Sequence, residues 1–448
     1  MKTETKHMFD NRQLLALLIP LIAEQLLNSL MGTADSMMVS NVGPEALSAV
    51  SLVDSINILV IQAFAALAAG GTIVCSHYVG MKRLEDARAS AKQLLLVVMA
   101  LSLGIMIFCL CALRPLLRLI FGSVDQGVMD AATVYFFWTA LSFPAISLYN
   151  AGSAVFRAQE NTRIPLAVAT VSNALNIAGN AVLIWGLGMG VAGAAIATLA
   201  SRVFSMVVIL AVLRDRRRKL YVTGYRAIRP DGYKIRRILA MGIPNGIENS
   251  MFQFGKLVIQ STVSMMGTAA IAAHAMAAIL ENLNGVAGVA CGIGLMTIVG
   301  ECLGAGRKDE AVYYVKKIVV WGYGFLGISV ALIWLAAGPI TRLAGMTPES
   351  AAICRNLVDW ISVFKPIFWV PAFIIPYGMR AAGDVRFSMI TSTIIMWTAR
   401  VTVAIYLARA LGFGPIAVWI GMFIDWMIRS VVYSLRFYSR RWLRFSVL

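Results

Sequence analysis

Asp35 carries the most chemistry in this sequence, because it is a carboxylate inside the first long apolar run. If that run crosses a membrane, a carboxylate near the bilayer centre costs at least about 2.5 to 3.5 kcal/mol and faces protein or a water-filled cavity. Such a group binds either a proton or a cation, so it can exchange one for the other. The alternative is a structural aspartate at a helix end that faces the outer interface.

Three amides lie on one face of a later apolar run. Asn173, Asn176 and Asn180 follow each other at intervals of three and four residues, which is the spacing of a single helix face. Amide oxygens are ligands that suit hard cations. The alternative is that the three asparagines form hydrogen bonds between neighbouring helices, as polar residues of membrane helices do.

Two further carboxylates stand in matching positions. Glu24 follows Pro20 by four residues, and Glu248 follows Pro244 by four residues. Because a proline bends a helix and frees a backbone carbonyl, each carboxylate is expected beside a bend, facing a cleft and attracting a cationic ligand. The alternative is a pair of buried carboxylates with hydrogen-bonding partners between helices. The other polar residues predicted to line such a cavity are Gln25, Gln253, Lys256, Glu281 and Lys365.

The two lysines of this set have two interpretations. Lys256 and Lys365 can each form an ion pair with Glu248, Glu281 or Asp359, and a buried pair is structural about as often as functional. They can instead line the cavity and admit an anionic or zwitterionic ligand. The sequence leaves both interpretations open.

These residues belong to a chain with the composition of an integral membrane protein. Of its 448 residues 59% are hydrophobic and only 14% are charged, and the mean hydropathy is +0.77. Apolar runs of the roughly 20 residues that cross a bilayer recur about twelve times. We therefore predict an all-α membrane protein with about twelve transmembrane helices in two pseudo-symmetric bundles of about six. The predicted spans lie near residues 13–39, 45–74, 91–113, 131–153, 164–186, 191–213, 238–263, 268–298, 314–337, 351–379, 387–409 and 415–437.

The net charge of +17 is explained by membrane topology. Lysine and arginine concentrate in alternate loops, as the positive-inside rule requires, so we predict two cytoplasmic termini in a plasma (inner) membrane and no nucleic-acid partner. The polar start up to Arg12 and the long first apolar run are unlike a cleaved signal peptide, so the first helix is expected to be retained. Six cysteines without CxxC pairs or an even framework argue against a disulfide scaffold or a zinc module.

The chain repeats itself. A shift of 224 residues superimposes the two halves, and each half contains about six spans, so both halves have the same orientation in the membrane. We predict an N-terminal lobe at residues 1–220, a cytoplasmic linker at 221–237 and a C-terminal lobe at 238–448. The pairs that this shift brings together include Pro20 and Pro244, Glu24 and Glu248, Gly43 and Gly267, Arg83 and Arg307, and Gly188 and Gly412.

Several ordered segments resemble one transporter family. They are residues 33–39 (TADSMMV) with 43–47 (GPEAL), residues 80–87 (GMKRLEDA) with their copy at 304–311 (GAGRKDEA), and residues 156–165 (FRAQENTRIP). Together they make the chain similar, over essentially its whole length, to the multidrug and toxic compound extrusion (MATE) family. The resemblance implies twelve helices in two six-helix lobes forming a V. It also implies secondary active export, by alternating access, of organic cations or other amphipathic molecules in exchange for protons or sodium ions.

The same resemblance implies a site. In the family an aspartate of the first helix meets an asparagine and an aspartate four residues apart on the fifth, with a threonine on the sixth. Asp35, Asn176 and Thr198 match these positions, whereas Asn180 replaces the second aspartate, so one carboxylate is left. These four residues are the predicted ion-coupling site, for sodium or for a proton on Asp35. Because Asp35 corresponds to Ile259 under the shift, coupling is expected in the first half only.

Other functions fit the sequence less well. No P-loop sequence is apparent, so ATP is not expected as the direct energy source. No set of catalytic residues, such as paired carboxylates with a histidine or a nucleophile elbow, is apparent either. We expect no cofactor beyond the coupling ion. Several arginines in the spans would favour a lipid-linked saccharide flippase of the wider superfamily, and here such arginines are few. A receptor or scaffold would not need matched halves. We expect a monomer in the lipid bilayer that handles small amphipathic, drug-like substrates.

Overall fold

The computed structural model of the protein describes residues 7–122, 125–225 and 228–448, without the side chains of Thr33 and Ser36. These residues form helices that are joined by short turns, except for the longer connection between α8 and α9. The helices of the first half are α1 (Asn11–Ser40), α2 (Pro44–Gly80), α3 (Leu84–Cys111), α4 (Leu113–Phe121), α5 (Gln126–Leu141), α6 (Phe143–Ala158), α7 (Arg163–Asn180) and α8 (Gly190–Leu213). Those of the second half are α9 (Gly232–Val263), α10 (Thr268–Gly304), α11 (Lys308–Leu343), α12 (Pro348–Phe373), α13 (Ile375–Ala381), α14 (Val385–Ile395), α15 (Val403–Arg409) and α16 (Ile416–Tyr438).

The helices confirm the predicted class of an all-α membrane protein. In the described part of the chain, 10 helical segments are long and apolar enough to cross a membrane, and the pair α5 and α6, bent by 42°, makes an eleventh. Helix α9 has 32 residues but carries Asn245, Glu248, Asn249 and Gln253 along its middle, which makes it less apolar than the others. With α9 included, the helices are consistent with the predicted twelve spans.

The two halves repeat each other in local structure. Helices α2 and α10 each have 37 residues and each end at the glycine expected from the 224-residue shift. Gly43 and Gly267, which precede them, both have positive φ angles, a conformation that glycine adopts at little cost. A π-helical turn continues α7 at Ala181–Gly186, and another continues α14 at Met396–Thr402.

The chain forms two compact units. One comprises residues 12–246, and the other comprises residues 247–447 together with the segment before Arg12. That segment is held on α11, because the Phe9 amide donates to the Tyr314 hydroxyl at 2.7 Å and the Met8 amide donates to Glu310 at 2.9 Å. The predicted division into lobes at 1–220 and 238–448 stays a prediction.

The predicted linker, residues 221–237, is fastened to α3 in the first unit. The Gln93 side chain donates to the Arg229 carbonyl at 2.8 Å and accepts from the Asp231 amide at 3.1 Å. Lys234 lies 3.4 Å from Asp86. These contacts hold the first turns of α3 against the start of α9. Arg226 of the predicted linker lies outside the described residues.

Candidate functional site

The four residues predicted to couple ions lie together in the first unit. The Asn180 side-chain amide donates to Asp35 Oδ1 at 2.8 Å and to Asn176 Oδ1 at 3.3 Å. The Asn176 amide donates in turn to the Thr198 hydroxyl at 3.3 Å, and Thr198 donates to the Ala194 carbonyl at 3.0 Å. One continuous row of hydrogen bonds therefore runs from α1 through α7 to α8. Whether this row handles an ion stays a prediction.

Helix geometry positions the middle of this row. Asn176 and Asn180 are one turn apart on α7 and are 5% and 1% exposed. Gly179, beside them, allows close packing, because a Cβ atom there would lie 3.0 Å from the Cβ of Ala197 on α8. The π-helical turn begins immediately after Asn180, and such turns occur frequently at functional sites.

The row leaves one buried oxygen without a donor. Asn180 uses its amide nitrogen for both of its hydrogen bonds, and both partners are acceptors, so its carbonyl oxygen points elsewhere. Among the described residues this oxygen has no hydrogen-bond partner. Rotation of the side-chain amide would turn this oxygen toward the Asp35 carboxylate, and both groups are ligands of the kind that a hard cation prefers. The local donor set thus fits sodium as well as a proton.

A second carboxylate lies near Asp35, and sequence reasoning missed it. Asp54 on α2 accepts hydrogen bonds from the Tyr135 hydroxyl at 3.3 Å and from the Asn57 amide at 3.1 Å. Arg202 on α8 interacts electrostatically with both Asp35 and Asp54. The available signal was a charged residue in the middle of an apolar run, which in a membrane helix is a candidate functional residue by itself.

Arg202 sets the charge of this cluster. It is anchored by a hydrogen bond from its guanidinium to Ser142 Oγ at 2.7 Å. Two carboxylates, Asp35 and Asp54, and one guanidinium leave a single negative charge when both acids are ionised. Because unbalanced charge is costly inside a membrane protein, one monovalent cation would complete the cluster. The cluster thus contains a second carboxylate, Asp54, although α7 carries Asn180 in place of an aspartate.

Comparison with known proteins decides the family. The MatE family model matches residues 20–182 and again residues 244–406. The chain belongs to the MATE family. The second match begins 224 residues after the first, which is the internal shift seen in the sequence. Members of this family are transporters and not enzymes.

The relatives of this MATE protein match it over nearly their whole length. NorM of Thermotoga maritima, described as a probable multidrug resistance protein, is 26% identical and covers 98% of this chain, with 94% of NorM matched. The transporter YisQ of Bacillus subtilis is also 26% identical, with 96% of this chain and 95% of YisQ matched.

Solved structures share the fold. A crystal structure of MATE in complex with MaD3S superimposes with a TM-score of 0.89 at 22% identity, covering 96% of this chain and 95% of that one. A MOP superfamily transporter from Pyrococcus furiosus, described as having a binding pocket of reverse polarity, gives a TM-score of 0.89 at 22% identity and 97% coverage of both chains. At this identity the likeness establishes the fold of this MATE protein.

The symmetric carboxylates of this MATE protein are ion-paired. Glu24 is 1% exposed and lies 3.0 Å from Arg157 in the first unit. Glu248 is 7% exposed and lies 2.6 Å from Arg380 in the second unit, where Ser388 also donates to it at 3.2 Å. These contacts favour the alternative in which the carboxylates are buried and partnered between helices. Their predicted place in a substrate cavity stays a prediction, as it does for the partly buried Gln25 and Gln253.

The two lysines differ from each other. Lys365 is fully buried, and its ammonium donates to both a carboxylate oxygen and the backbone carbonyl of Glu281 at 2.6 Å. Lys256 has no carboxylate within 4 Å among the described residues, and its ammonium lies 5.1 Å from the centre of the Phe252 ring. Asp359 serves neither lysine, because it pairs with Arg355 at 3.1 Å. Lys365 is therefore an ion-pair residue, whereas Lys256 is not.

Removing Arg380 should destabilise the protein much more than removing an arginine of an exposed pair. Arg380→Met leaves Glu248 buried without its counter-charge, which costs about 3 to 5 kcal/mol. Arg114→Met is the matched control, because Arg114 and Asp130 are both well exposed and 3.5 Å apart, and such pairs contribute about 0 to 1 kcal/mol. Thermal unfolding in detergent measures both, and Arg380→Met with Glu248→Gln should recover part of the loss. Equal melting temperatures of the two single variants would show that the buried pair is not needed for stability.

Proposed function

We propose that this MATE protein is a secondary active multidrug antiporter, which exports amphipathic organic compounds, cations among them, in exchange for a proton or a sodium ion. The proposal rests first on relatives described as probable multidrug resistance proteins. The observation that supports it most is the hydrogen-bonded row that joins Asp35 to Asn180, Asn176 and Thr198. An antiporter needs such an exchangeable group inside the membrane, since its driving ion must be bound and released there.

The coupling step follows from the charge of the cluster. With Asp35 and Asp54 ionised and Arg202 charged, the site attracts one monovalent cation. A proton on Asp35 would turn one carboxylate oxygen from an acceptor into a donor. A sodium ion would instead draw in the free carbonyl oxygen of Asn180. Either event changes the hydrogen bonds between α1 and α7.

Export further requires that the bound ion favours one conformation over another. A ligand shifts a conformational equilibrium only as far as its affinities for the two states differ. A shift from 1:99 to 99:1 needs a difference of about 5.5 kcal/mol. Gain or loss of the hydrogen bond between Asn180 and a charged Asp35 supplies part of this difference, because hydrogen bonds to charged groups contribute about 1.5 to 3 kcal/mol. This links occupancy of the site to the position of α1.

The protein would work as a monomer in the plasma membrane with both termini in the cytoplasm. The basic residues of the linker and of the turns after α2 and α10 support this orientation. The described turns carry exposed cations at Lys82, Arg83 and Arg307. This topology would place the linker on the cytoplasmic side.

Three arginines of the membrane helices do not favour the flippase alternative, because each already has a carboxylate partner. A lipid-linked saccharide carries phosphate, which unpaired arginines would have to bind. Arg157, Arg380 and Arg429 instead lie 3.0, 2.6 and 2.7 Å from carboxylates of their own unit. Their charges are already balanced.

Asp35→Asn should abolish ion-driven transport and leave a folded protein in the membrane. The amide keeps the size of the side chain but cannot carry the exchangeable charge. Transport of ethidium into reconstituted vesicles is measured under an imposed proton gradient and, separately, under an imposed sodium gradient. Asp130→Asn is the matched control, since Asp130 is exposed and should leave transport unchanged. Undiminished transport by Asp35→Asn would remove this residue from the mechanism, and a wild type that responds to neither gradient would support the flippase alternative.

Asp54→Asn should weaken binding of the coupling ion, and removal of Arg202 should partly reverse the effect. Asp54→Asn leaves Asp35 and Arg202 balanced without a bound cation, so we expect the ion concentration that gives half-maximal transport to rise about tenfold or more. Adding Arg202→Met restores the single negative charge. The half-maximal ion concentration is measured for wild type, the single variant and the double variant. A double variant with the same ion affinity as Asp54→Asn, both being folded, would show that the charge balance does not control binding.

A further inference from the structure

Around Lys256 in the second unit, the cations outnumber the carboxylates. Three cations of these helices each have a carboxylate at 2.6 or 2.7 Å, so these three carboxylates are already paired. The pairs are Lys365 with Glu281, Arg380 with Glu248 and Arg429 with Asp425. Two cations remain. Lys256 has no carboxylate within 4 Å among the described residues, and Arg400 reaches only the already paired Asp425, at 3.8 Å.

The two remaining cations share one aromatic ring. The Lys256 ammonium lies 5.1 Å and the Arg400 guanidinium carbon lies 5.2 Å from the centre of the Phe252 ring. The two charges are therefore no farther apart than the sum of these distances. Cation–π contacts contribute about 0.5 to 2 kcal/mol each, which does not offset the cost of two like charges within a membrane protein. A bound anion would offset that cost.

Buried donors without partners lie in the same part of the unit. Arg400 is 8% exposed and Trp419 is 2% exposed, yet the Arg400 Nε and the Trp419 indole nitrogen have no hydrogen-bond partner among the described residues. The Trp419 ring lies 5.6 Å from the ring of His274, whose Nδ1 is also unpartnered in the described chain. His274 interacts electrostatically with Arg400. Unsatisfied buried donors are costly, and a ligand that offers acceptor oxygens would satisfy them.

Arg400 also occupies a distinctive place in the repeat. It lies in the π-helical turn Met396–Thr402, within the helix that corresponds to α7 of the first half. Such turns are frequent at functional sites. In the first unit the corresponding helix carries Asn176 and Asn180 beside the negatively charged cluster. The helix of the second unit that corresponds to α7 thus carries a cation, whereas α7 itself carries amides.

We propose that Lys256 and Arg400, together with the Phe252 and Trp419 rings, form a site in the second unit that binds an amphipathic aromatic anion, a carboxylate or sulfonate, by its acidic group. This inference rests on the proposed transport function and names a substrate class for it. The ammonium and guanidinium bind the anionic oxygens, the indole nitrogen donates a further hydrogen bond, and the rings cover the apolar body. The first unit would bind the coupling cation and the second the anionic substrate.

The test is binding of carboxyfluorescein to the purified full chain in detergent, followed by fluorescence anisotropy without any ion gradient. Lys256→Gln should weaken this binding about tenfold or more, because a charge-assisted contact is lost. Lys256→Arg should retain it. Lys82→Gln is the matched control, because it removes an exposed positive charge from the first unit. This variant should retain the binding of carboxyfluorescein. Binding of the cation ethidium should not weaken in Lys256→Gln.

Thermal unfolding supplies a readout that a structural lysine would not give. Without dye, Lys256→Gln should melt no lower than wild type, because an unbalanced charge is removed. Carboxyfluorescein should raise the melting temperature of wild type and not that of Lys256→Gln. Equal affinity of wild type and Lys256→Gln for the dye, no binding by wild type, or a lower melting temperature of dye-free Lys256→Gln would overturn the proposal.

Two further comparisons separate related outcomes. An anionic lipid head group has the same acidic chemistry, so dihexanoyl-phosphatidylglycerol is added as a competitor. Displacement of the dye assigns the anion site to lipid as well, and failure to displace it assigns the site to the aromatic carboxylate, as proposed. A wild type that binds carboxyfluorescein but transports no dye under either gradient overturns the transport function and not the anion site, whereas ion-driven transport without carboxyfluorescein binding overturns only the anion site.

Discussion

The cost of an unbalanced charge inside a membrane governs the interior of this protein. Most charged side chains of its spanning helices form an ion pair with a side chain of opposite charge in the same unit. Examples are Glu24 with Arg157 and Glu248 with Arg380. Two clusters do not close in this way. The cluster around Asp35 has one negative charge too many, and the one around Lys256 has too much positive charge. Exchangeable ligands are expected where the chain itself leaves charge unbalanced.

Duplication explains why these clusters differ while the frame stays the same. The buried carboxylate–arginine pair occurs in both halves, so it belongs to the shared frame. The chemistry diverged around it, since Asp35 has Ile259 as its counterpart and that residue is 4% exposed in an apolar environment. One copy has acids on α1 and α2 and amides along α7, whereas the other has a lysine on α9. A repeated scaffold can in this way hold a cation in one half and an anion in the other.

The sequence predicted most of the fold and the centre of the first cluster. Apolar run lengths gave the spans, and the helical spacing of Asn176 and Asn180 placed both amides on one face. Asp54 could have been singled out as a charged residue within an apolar run, but its place near Asp35 depends on the packing of α2 and could not be read from the sequence. The partner of Lys365 was undecided for the same reason, since three carboxylates were compatible with the sequence. Periodicity reports the face of a helix, but the neighbour of that face depends on packing between helices distant in sequence.

The most direct test of the central claim measures cation release by the purified protein in detergent when a substrate dye binds. A pH indicator in weakly buffered solution detects protons, and radioactive sodium bound beforehand detects sodium. The wild type should release one or the other as the dye binds, and Asp35→Asn should release neither. Dye binding to the wild type without release of either cation, or equal release from Asp35→Asn, would contradict an exchangeable cation at this carboxylate.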